Sequence, residues 1–292
     1  AAVVTQKPKP VGRKKLLEYS PVDSWAHKRN IPIFFNPYDL VKQKISADVG
    51  VLASYGNIVP SEVIHYFKYG ILVIHPSLLP QFRWSSPVQA AIITGTNPTG
   101  VTIIKMDEKF DHGPLVNQFK EEVLPEDTSQ TLRNRLFALS APVTANVIEP
   151  YIKGKIKLKP QDGSCVTYAR MITKKDAFIP PAVTAKTMTV DSSKKYVEWE
   201  IRFIKNCILP ATPHMLHNFI RAMQPWPVAW TTIRIKNQDL RFKILKSHLE
   251  PITNHRLPTT DQKLVFDLVQ LEGKNPVTWR QFKEGYTTEI FE

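Results

Sequence analysis

A histidine and a carboxylate lie in the two short segments of this sequence that are best suited to acid–base chemistry. His75 follows the apolar run 71–74 and precedes a proline-bounded turn, Pro76 to Pro80. Asp111 opens the turn sequence Asp-His-Gly-Pro in a second segment, residues 106–114. An imidazole and a carboxylate delivered from two loops can form an oriented proton-transfer pair. On these residues alone, a capped surface histidine and an ordinary turn remain the alternative.

Strands that alternate with short helices must position these two side chains. The run 71–74 has the length and composition of a strand that is covered on both faces, as in parallel sheets. Catalytic groups of open α/β sheets lie at the carboxyl ends of strands, which is where His75 falls. The pattern predicts further strands over 2–5, 31–35 and 47–54, with 47–54 buried, and helices over 21–28, 61–67 and 87–93.

The rest of the chain divides into a long helix, a connecting region and a β-rich tail. The longest helical pattern covers 128–148, with Leu132, Leu136, Leu139 and Val143 at helical spacing. Residues 151–160 alternate lysine with apolar residues, which predicts a half-buried edge strand, and 174–193 are typical of a poorly ordered connection. Beyond these we expect helices over 196–206 and 215–222, then strands over 240–246, 264–269 and 271–276.

The two chemical segments together resemble the folate-dependent formyltransferases, and within them the methionyl-tRNA formyltransferase family. The resemblance is carried by His-Pro-Ser-Leu-Leu-Pro at 75–80, Thr-Gly-Val-Thr-Ile at 99–103 leading into Met-Asp at 106–107, and Asp-His-Gly-Pro at 111–114. It extends from residue 1 nearly to the C-terminus.

The resemblance implies an α/β fold in two domains. Residues 1–160 correspond to a Rossmann-like formyltransferase domain with a mostly parallel sheet, lacking the strand and helix with which the family begins. Residues 161–195 correspond to a linker, and 196–292 to a small OB-like β-barrel domain that binds RNA.

The same resemblance implies formyl transfer from 10-formyltetrahydrofolate to the amino group of methionyl-tRNA. His75 would stabilise the oxyanion, and Asp111 would orient His75 and relay protons. Residues matching the folate side of the family's site are Ser77, Leu78, Leu79, Pro80 and Trp84. No metal is implied.

Three positions depart from the family pattern on the ligand side of the fold. The family has an asparagine two residues before the histidine, where this chain has Val73, and a glycine where it has Trp84. Ala177 replaces a further glycine. Loss of one oxyanion donor typically costs about 10²–10³-fold in rate, and neither Asn57 nor Asn117 is shown by the sequence to supply it. The alternatives are an impaired enzyme, an inactive member kept as an RNA-binding ribonucleoprotein component, an active enzyme with altered geometry, and a formyltransferase acting on an amino sugar.

The charge distribution favours a polyanionic partner. The chain carries a net charge of +13, and residues 151–292 hold 23 Lys and Arg against 13 Asp and Glu. Such an excess is typical of nucleic-acid binding, here initiator methionyl-tRNA or another RNA, although a solvated basic surface gives the same composition. The candidate phosphate contacts are Lys7, Lys9, Arg13, Lys14, Lys15, Arg241 and Lys243, with Arg234, Lys236 and Lys246 beside them. By the resemblance, Arg13 and its neighbours enter the tRNA acceptor end.

Cysteine content and hydropathy limit the cellular compartments in which we expect this chain. Two cysteines without metal-ligand spacing argue against a disulfide framework or a zinc site and favour a reducing environment. No apolar run is long enough to predict a membrane span. The first residues fit neither a signal nor a transit peptide, so we expect a mature or partial chain, in a mitochondrial or other organelle matrix or otherwise in the cytoplasm.

Overall fold

The computed structural model describes residues 1–11, 16–188, 196–254 and 257–286. Up to residue 121 the elements are, in chain order, β1 (Val3–Val4), β2 (Lys9–Val11), β3 (Leu16–Glu18), α1 (Pro21–His27), β4 (Ile33–Phe34), α2 (Tyr38–Lys42), β5 (Gly50–Ala53), α3 (Ser61–Ile64), β6 (Ile71–His75), α4 (Pro87–Thr94), β7 (Thr99–Lys105) and β8 (Leu115–Glu121). They are followed by α5 (Ser129–Ile152), α6 (Pro181–Met188), β9 (Glu198–Glu200), β10 (Ile208–Pro210), α7 (Pro213–Ala222), β11 (Trp230–Ile235), β12 (Gln238–Asn254), β13 (Leu257–Leu271), β14 (Val277–Thr278) and α8 (Trp279–Gly285).

Contacts divide the chain into two compact units. The first comprises Ala1–His75, Thr102–Gln118 and Pro142–Gln161, and the second comprises Pro76–Val101, Phe119–Ala141 and Asp162–Glu292. The chain therefore passes between the units several times. The domain boundaries expected from the sequence, after residues 160 and 195, stay predictions.

A four-stranded sheet of order β5-β6-β7-β8 carries the histidine segment. β5 and β6 are parallel, as are β1 and β4 in a separate pair, and β6 and β7 are antiparallel. Every residue of β6 is buried, as its apolar run predicts. The expectation that β5 is buried was wrong: it lies at the edge of this sheet, and Val51 is 48% exposed.

Apolar clusters on both faces explain the burial of β6. Leu72 packs with Ile103, Val116 and the C-terminal turns of α5, whose Tyr151 hydroxyl donates to the carbonyl of Tyr69 at 2.6 Å. On the opposite face, Ile71 packs with Val59, Val63 and Ile64. A strand covered on both sides needs apolar residues at every position before its end.

The longest helix is present and is longer than the sequence pattern indicates. α5 covers all of the predicted stretch 128–148 except its first residue and continues to Ile152, and Leu132 and Leu136 are fully buried. Leu139 was expected on the same buried stripe, but it is 40% exposed. The buried face of α5 therefore turns gradually around the helix axis along a helix of this length.

The connecting region is more ordered than its composition predicts. Only a single bridge, Leu115 to Lys159, replaces the edge strand expected over 151–160, although the lysines there are exposed. Of the stretch 174–193, the structure describes 174–188, where α6 buries Val183 and Thr187, while 189–193 lie outside the described residues. Burial alone would raise the pKa of Asp176, but hydrogen bonds from Arg170 and Thr173 lower it to about 2.

The region 196–206 contains a strand and not the expected helix. β9 pairs antiparallel with β10, so that Trp199 lies opposite Leu209. Trp199, Ile201 and Phe203 are all buried, and their spacing of two is the period of a strand. The expected helix at 215–222 is confirmed as α7, which begins after an N-cap, Thr212, whose hydroxyl accepts from the Met215 N–H.

The C-terminal region forms an antiparallel sheet of order β11-β12-β13-β14. The strands expected over 240–246 and 264–269 are confirmed as parts of the longer β12 and β13. The strand expected over 271–276 was wrong, because Gly273 adopts a positive φ of 73° in a turn that leads to β14. Closure of this sheet into an OB-like barrel stays an interpretation.

Candidate active site

The site is built around His75, the last residue of the buried strand β6. Its Nδ1 lies 3.5 Å from the Asp111 Oδ1, and the two side chains are only 6% and 16% exposed. A carboxylate at this distance favours a hydrogen on Nδ1, and catalytic hydrogen bonds are often this long before substrate binds. The structure thus brings together the two residues that the sequence singled out.

The loop after β7 is shaped to hold Asp111. Asp111 itself adopts a positive φ of 51°. Gln161 donates from Nε2 to the carbonyls of Asp111 and Gly113, each at 2.8 Å. A Cβ on Gly113 would lie 1.8 Å from the Lys105 carbonyl oxygen, so only glycine fits there. The sequence marked Gly113 but not Gln161, whose partners lie far away along the chain.

Val73 occupies the position where the resemblance leads one to expect an asparagine. It lies two residues before His75 on the same face of β6 and is 7% exposed. Its neighbours across the sheet are Leu52 in β5 and Ile104 in β7. The valine is therefore packed among apolar residues, and its side chain brings no hydrogen-bond donor to the face of His75.

A polar pair beside His75 was not foreseen. Thr102 in β7 lies directly opposite His75 in the antiparallel register and is fully buried. Its hydroxyl accepts a hydrogen bond from Gln118 Nε2 at 2.8 Å. The only sequence signal was a threonine within an apolar run. Asn57 is exposed in a loop, and Asn117 lies on β8, which is separated from β6 by β7.

Residues 76–86 belong to the second unit, where a later segment fixes their backbone. Ser77 is fully buried, and its hydroxyl donates to the carbonyl of Gln81 at 2.6 Å. The Phe82 N–H donates to the Thr167 hydroxyl, and the Arg83 N–H donates to the Thr167 carbonyl. Of the other predicted folate-side residues, Leu79 is buried while Leu78 and Pro80 are half-buried.

Trp84 adopts the conformation of a glycine. Its φ is +81°, in the left-handed region that residues with a Cβ rarely occupy. Its ring packs on Tyr168 with centroids 4.5 Å apart and is 39% exposed. The loop has thus kept a backbone shape suited to glycine while accommodating an indole.

The predicted RNA-contacting residues lie in both units. Lys7 and Lys9 are exposed, and the Lys9 ammonium donates to Gln6. In the C-terminal sheet, the Arg241 guanidinium stacks over Trp230 at 4.5 Å, and Lys243 is half-buried beside it. Arg234 is paired with Asp239. Arg13, Lys14 and Lys15 lie outside the described residues.

The described part of the chain contains neither a metal-binding cluster nor a membrane-spanning helix. Within 1–11, 16–188, 196–254 and 257–286, no cluster of His, Cys, Asp and Glu side chains has the arrangement needed to hold a metal ion. None of the helices described in these ranges is both long and apolar enough to cross a bilayer.

Two family profiles match this chain. The formyl transferase profile matches residues 1–148, and the profile of the formyl transferase C-terminal domain matches residues 211–287. A methionyl-tRNA formyltransferase from Listeria monocytogenes is 33% identical, with 97% of this chain and 87% of the relative covered. Another, from Buchnera aphidicola, is 34% identical, with 78% of this chain and 66% of the relative covered.

Solved structures share the fold at lower identity. A 4-N formyltransferase from Francisella tularensis superimposes with a TM-score of 0.54 and 20% identity, covering 75% of this chain and 78% of that one. HypX from Aquifex aeolicus in complex with tetrahydrofolic acid gives a TM-score of 0.58 at 12% identity, covering 99% of this chain and 48% of that one. With both domain profiles matched and one relative aligned along 97% of its length, the chain belongs to the formyltransferase family, among the relatives named methionyl-tRNA formyltransferase.

Proposed function

We propose that this chain is a methionyl-tRNA formyltransferase-like protein in which formyl transfer from 10-formyltetrahydrofolate to methionyl-tRNA is strongly slowed. Family membership and the pairing of the buried His75 with the half-buried Asp111 support the reaction class. The observation that supports a slowed reaction is the burial of Val73 beside His75, because valine has no hydrogen-bond donor for the oxyanion.

The reaction makes two demands on the site. The amine nitrogen attacks the formyl carbon, the carbonyl oxygen gains charge, and the bond to the folate nitrogen then breaks. The amine loses a proton, and the departing folate nitrogen gains one. Donors must face the oxygen and an acceptor must face the amine for both changes to proceed quickly.

His75 meets these demands only in part. With a hydrogen on Nδ1 facing Asp111, a neutral ring leaves Nε2 as an acceptor, and only the charged ring also donates from Nε2. One imidazole therefore cannot accept the amine proton and donate to the oxyanion at the same moment. A neighbouring amide would relieve this conflict, and the face of β6 offers Val73 in that place.

Single-turnover formylation of charged initiator tRNA with excess 10-formyltetrahydrofolate tests the proposal. Wild type should react about 10²–10³-fold more slowly than the Listeria monocytogenes relative, the usual effect of one missing oxyanion donor. Val73→Asn should raise the rate at least tenfold, whereas Val73→Ile, the apolar control, should not. His75→Ala should abolish the residual rate.

Two outcomes would contradict the proposal in different ways. A wild-type rate equal to that of the relative would show that another group supplies the donor. A slow wild type that Val73→Asn leaves unchanged, with its thermal stability intact, would show that the slowing arises elsewhere. Trp84→Gly, alone and together with Val73→Asn, identifies whether the loop is the second cause.

The charge distribution favours a second candidate function, RNA association that does not require catalysis. Residues 151–292 carry ten more basic than acidic residues, and this excess lies outside the half that contains His75. Under this proposal the partner is an RNA, as initiator methionyl-tRNA or within a ribonucleoprotein. His75→Ala should then bind RNA as tightly as wild type, and a wild type without measurable RNA affinity would contradict it.

A further inference from the structure

The N-terminal part of the first unit exposes a group of large apolar side chains. They lie on β3, on α1 and on the residues that join these elements. Their exposed fractions are 69% for Leu16, 62% for Leu17, 54% for Tyr19, 50% for Val22 and 49% for Trp25. Exposed apolar groups concentrated in one short stretch mark an interaction surface more often than a bare exterior.

Trp25 is held in a defined arrangement with Arg29. The Arg29 guanidinium carbon lies 4.4 Å from the centroid of the indole, and Nη1 donates to the Trp25 carbonyl at 3.2 Å. Trp25 and Val22 are three residues apart and share one face of α1, and Arg29 lies just beyond the C-terminal end of that helix. Among the residues that the structure describes, no carboxylate forms an ion pair with Arg29. The result is a planar cation layered on a half-exposed aromatic ring.

The charge of this part of the chain favours a polyanionic partner. Residues 1–35 contain seven Lys and Arg against two Asp and Glu, whereas residues 36–150 contain nine against eleven. One of the two acids, Asp23, is only 6% exposed. Lys7, Lys9 and Lys28 are exposed. An apolar protein partner would not call for this concentration of positive charge, whereas a nucleic acid strand would.

We propose that Trp25 and Arg29 form a stacking platform for an unpaired base of a bound RNA. Aromatic rings and guanidinium planes are the groups on which proteins stack unpaired bases, and neighbouring lysines hold the adjoining phosphates. This inference rests on the RNA association proposed above and adds a residue-level site for it. The platform prefers single-stranded over paired RNA, because the faces of paired bases are covered by their neighbours.

Fluorescence anisotropy with a labelled single-stranded RNA of about 20 nucleotides and the matching duplex tests the platform, since one lost base stack typically weakens binding about tenfold. Trp25→Ala should lower affinity for the single strand at least fivefold and leave duplex affinity nearly unchanged. Trp25→Phe should restore most of the loss. Tyr38→Ala removes an aromatic residue of the same unit that is 37% exposed and serves as the control. Thermal unfolding of each variant shows whether the fold is kept.

The salt dependence separates stacking from phosphate contact. Trp25→Ala should leave the slope of log affinity against log salt unchanged, while Lys9→Ala should reduce it by about one. Single-strand affinity equal to wild type in Trp25→Ala would overturn the platform while leaving RNA association intact. A wild type that binds neither RNA would overturn both. Equal losses for single strand and duplex would also overturn the platform.

Discussion

At the scale of single residues, Trp84 is one of the places where the backbone departs from local preference. A left-handed backbone costs a residue with a Cβ about 1–2 kcal/mol. The contact between Trp84 and Tyr168 compensates in part, because an aromatic pair contributes about 0.5–1.5 kcal/mol beyond its buried area. The tryptophan is therefore kept at a position where its backbone is strained.

This strain predicts that glycine at position 84 gives a more stable protein than alanine does, the reverse of the usual order. Glycine usually destabilises a protein relative to alanine by about 0.4–1 kcal/mol. At position 84 we expect the reverse, with Trp84→Gly more stable than Trp84→Ala by about 1 kcal/mol, because glycine alone removes the strain. Urea denaturation of both variants measures the difference, and a more stable Trp84→Ala would contradict the left-handed conformation.

The sequence predicted the candidate catalytic residues of the site, but not the residues that hold them in place. His75 and Asp111 were found because each belongs to a short segment with a distinctive pattern. Gln161 and Thr102 were missed because their roles depend on partners that are distant along the chain. A local pattern carries no record of a hydrogen bond made across a fold.

At the scale of elements, the connection between β7 and β8 controls where Asp111 lies. Its backbone passes so close to Lys105 that a single methyl group at Gly113 has no room. The Lys105 N–H also donates to the Pro114 carbonyl at 3.0 Å. The end of the strand and the carboxylate loop therefore move together.

Gly113→Ala should consequently disturb both stability and the site. We expect a loss of about 1–3 kcal/mol, the usual effect of overpacking, with a larger separation of His75 and Asp111. Gly163→Ala is the matched control, because a Cβ there meets nothing within 4 Å. Denaturation midpoints compare the variants, and equal midpoints for the two would contradict the close approach.

The packing of α7 against the C-terminal sheet half-buries a histidine, His217. His217 Nδ1 lies 3.0 Å from the Ser247 hydroxyl of β12. Burial lowers the pKa of His217 to about 4 from an ordinary value of 6.5, and the positive charge of Arg221 acts in the same direction. The other charged or titratable groups that act on it are His214 and His248, which lower the pKa, and Glu126, which raises it.

A depressed histidine pKa makes stability fall in acid. Between about pH 6.5 and 4 the unfolded chain binds a proton at His217 that the folded chain does not, so the free energy of unfolding decreases as pH falls. We expect this residue to contribute about 1–3 kcal/mol of that decrease. His217→Gln should remove it, as urea denaturation at both pH values would show.

His248 has the opposite effect on stability in the same experiment. Burial alone would lower the pKa of His248, but hydrogen bonds to Glu250 and Asp267 raise it. The stability that His248 contributes to the folded state is therefore present in acid and is lost at higher pH. The difference in unfolding free energy between wild type and His217→Gln separates the effect of the half-buried His217 from this opposing effect. An unchanged difference across the range would contradict the burial of His217.

Apolar periodicity predicted the type of an element correctly where one regular burial pattern runs through the whole element. It gave the wrong type where the pattern is short or weak. β6 and α7 were correctly predicted, since one is covered on both faces and the other has a single buried stripe. The region 196–206 was mistaken for a helix, although its alternating Trp199, Ile201 and Phe203 match the strand period. The helix α6 was missed because its short sequence, Pro181–Met188, begins with a proline and lacks a pronounced apolar stripe.

At the scale of the whole molecule, the excess of Lys and Arg occurs in two separate regions of the sequence. One is the first 35 residues, and the other is the half beyond residue 150. The residues between them carry a slight negative excess. A composition of this kind predicts strong electrostatic attraction of RNA without identifying its sequence.

RNA affinity should therefore depend steeply on salt. If the two regions contact about six or more phosphates, affinity should fall by roughly 10³-fold or more between 50 and 200 mM salt. Anisotropy titrations of wild type and His75→Ala measure this, and the two should give the same slope. A shallow slope in both would contradict a binding mode dominated by phosphate contacts.

The hydrogen bonds that join residues 80–86 to residues 167–169 have a consequence for synthesis of the chain. Arg83 and Ser86 reach their final backbone partners only through Thr167 and Ala169. A nascent polypeptide that has just exposed the histidine segment still lacks these partners, so the loop beyond the histidine cannot mature in step with translation. It must wait, with its amides facing water, until the ribosome has released the later segment.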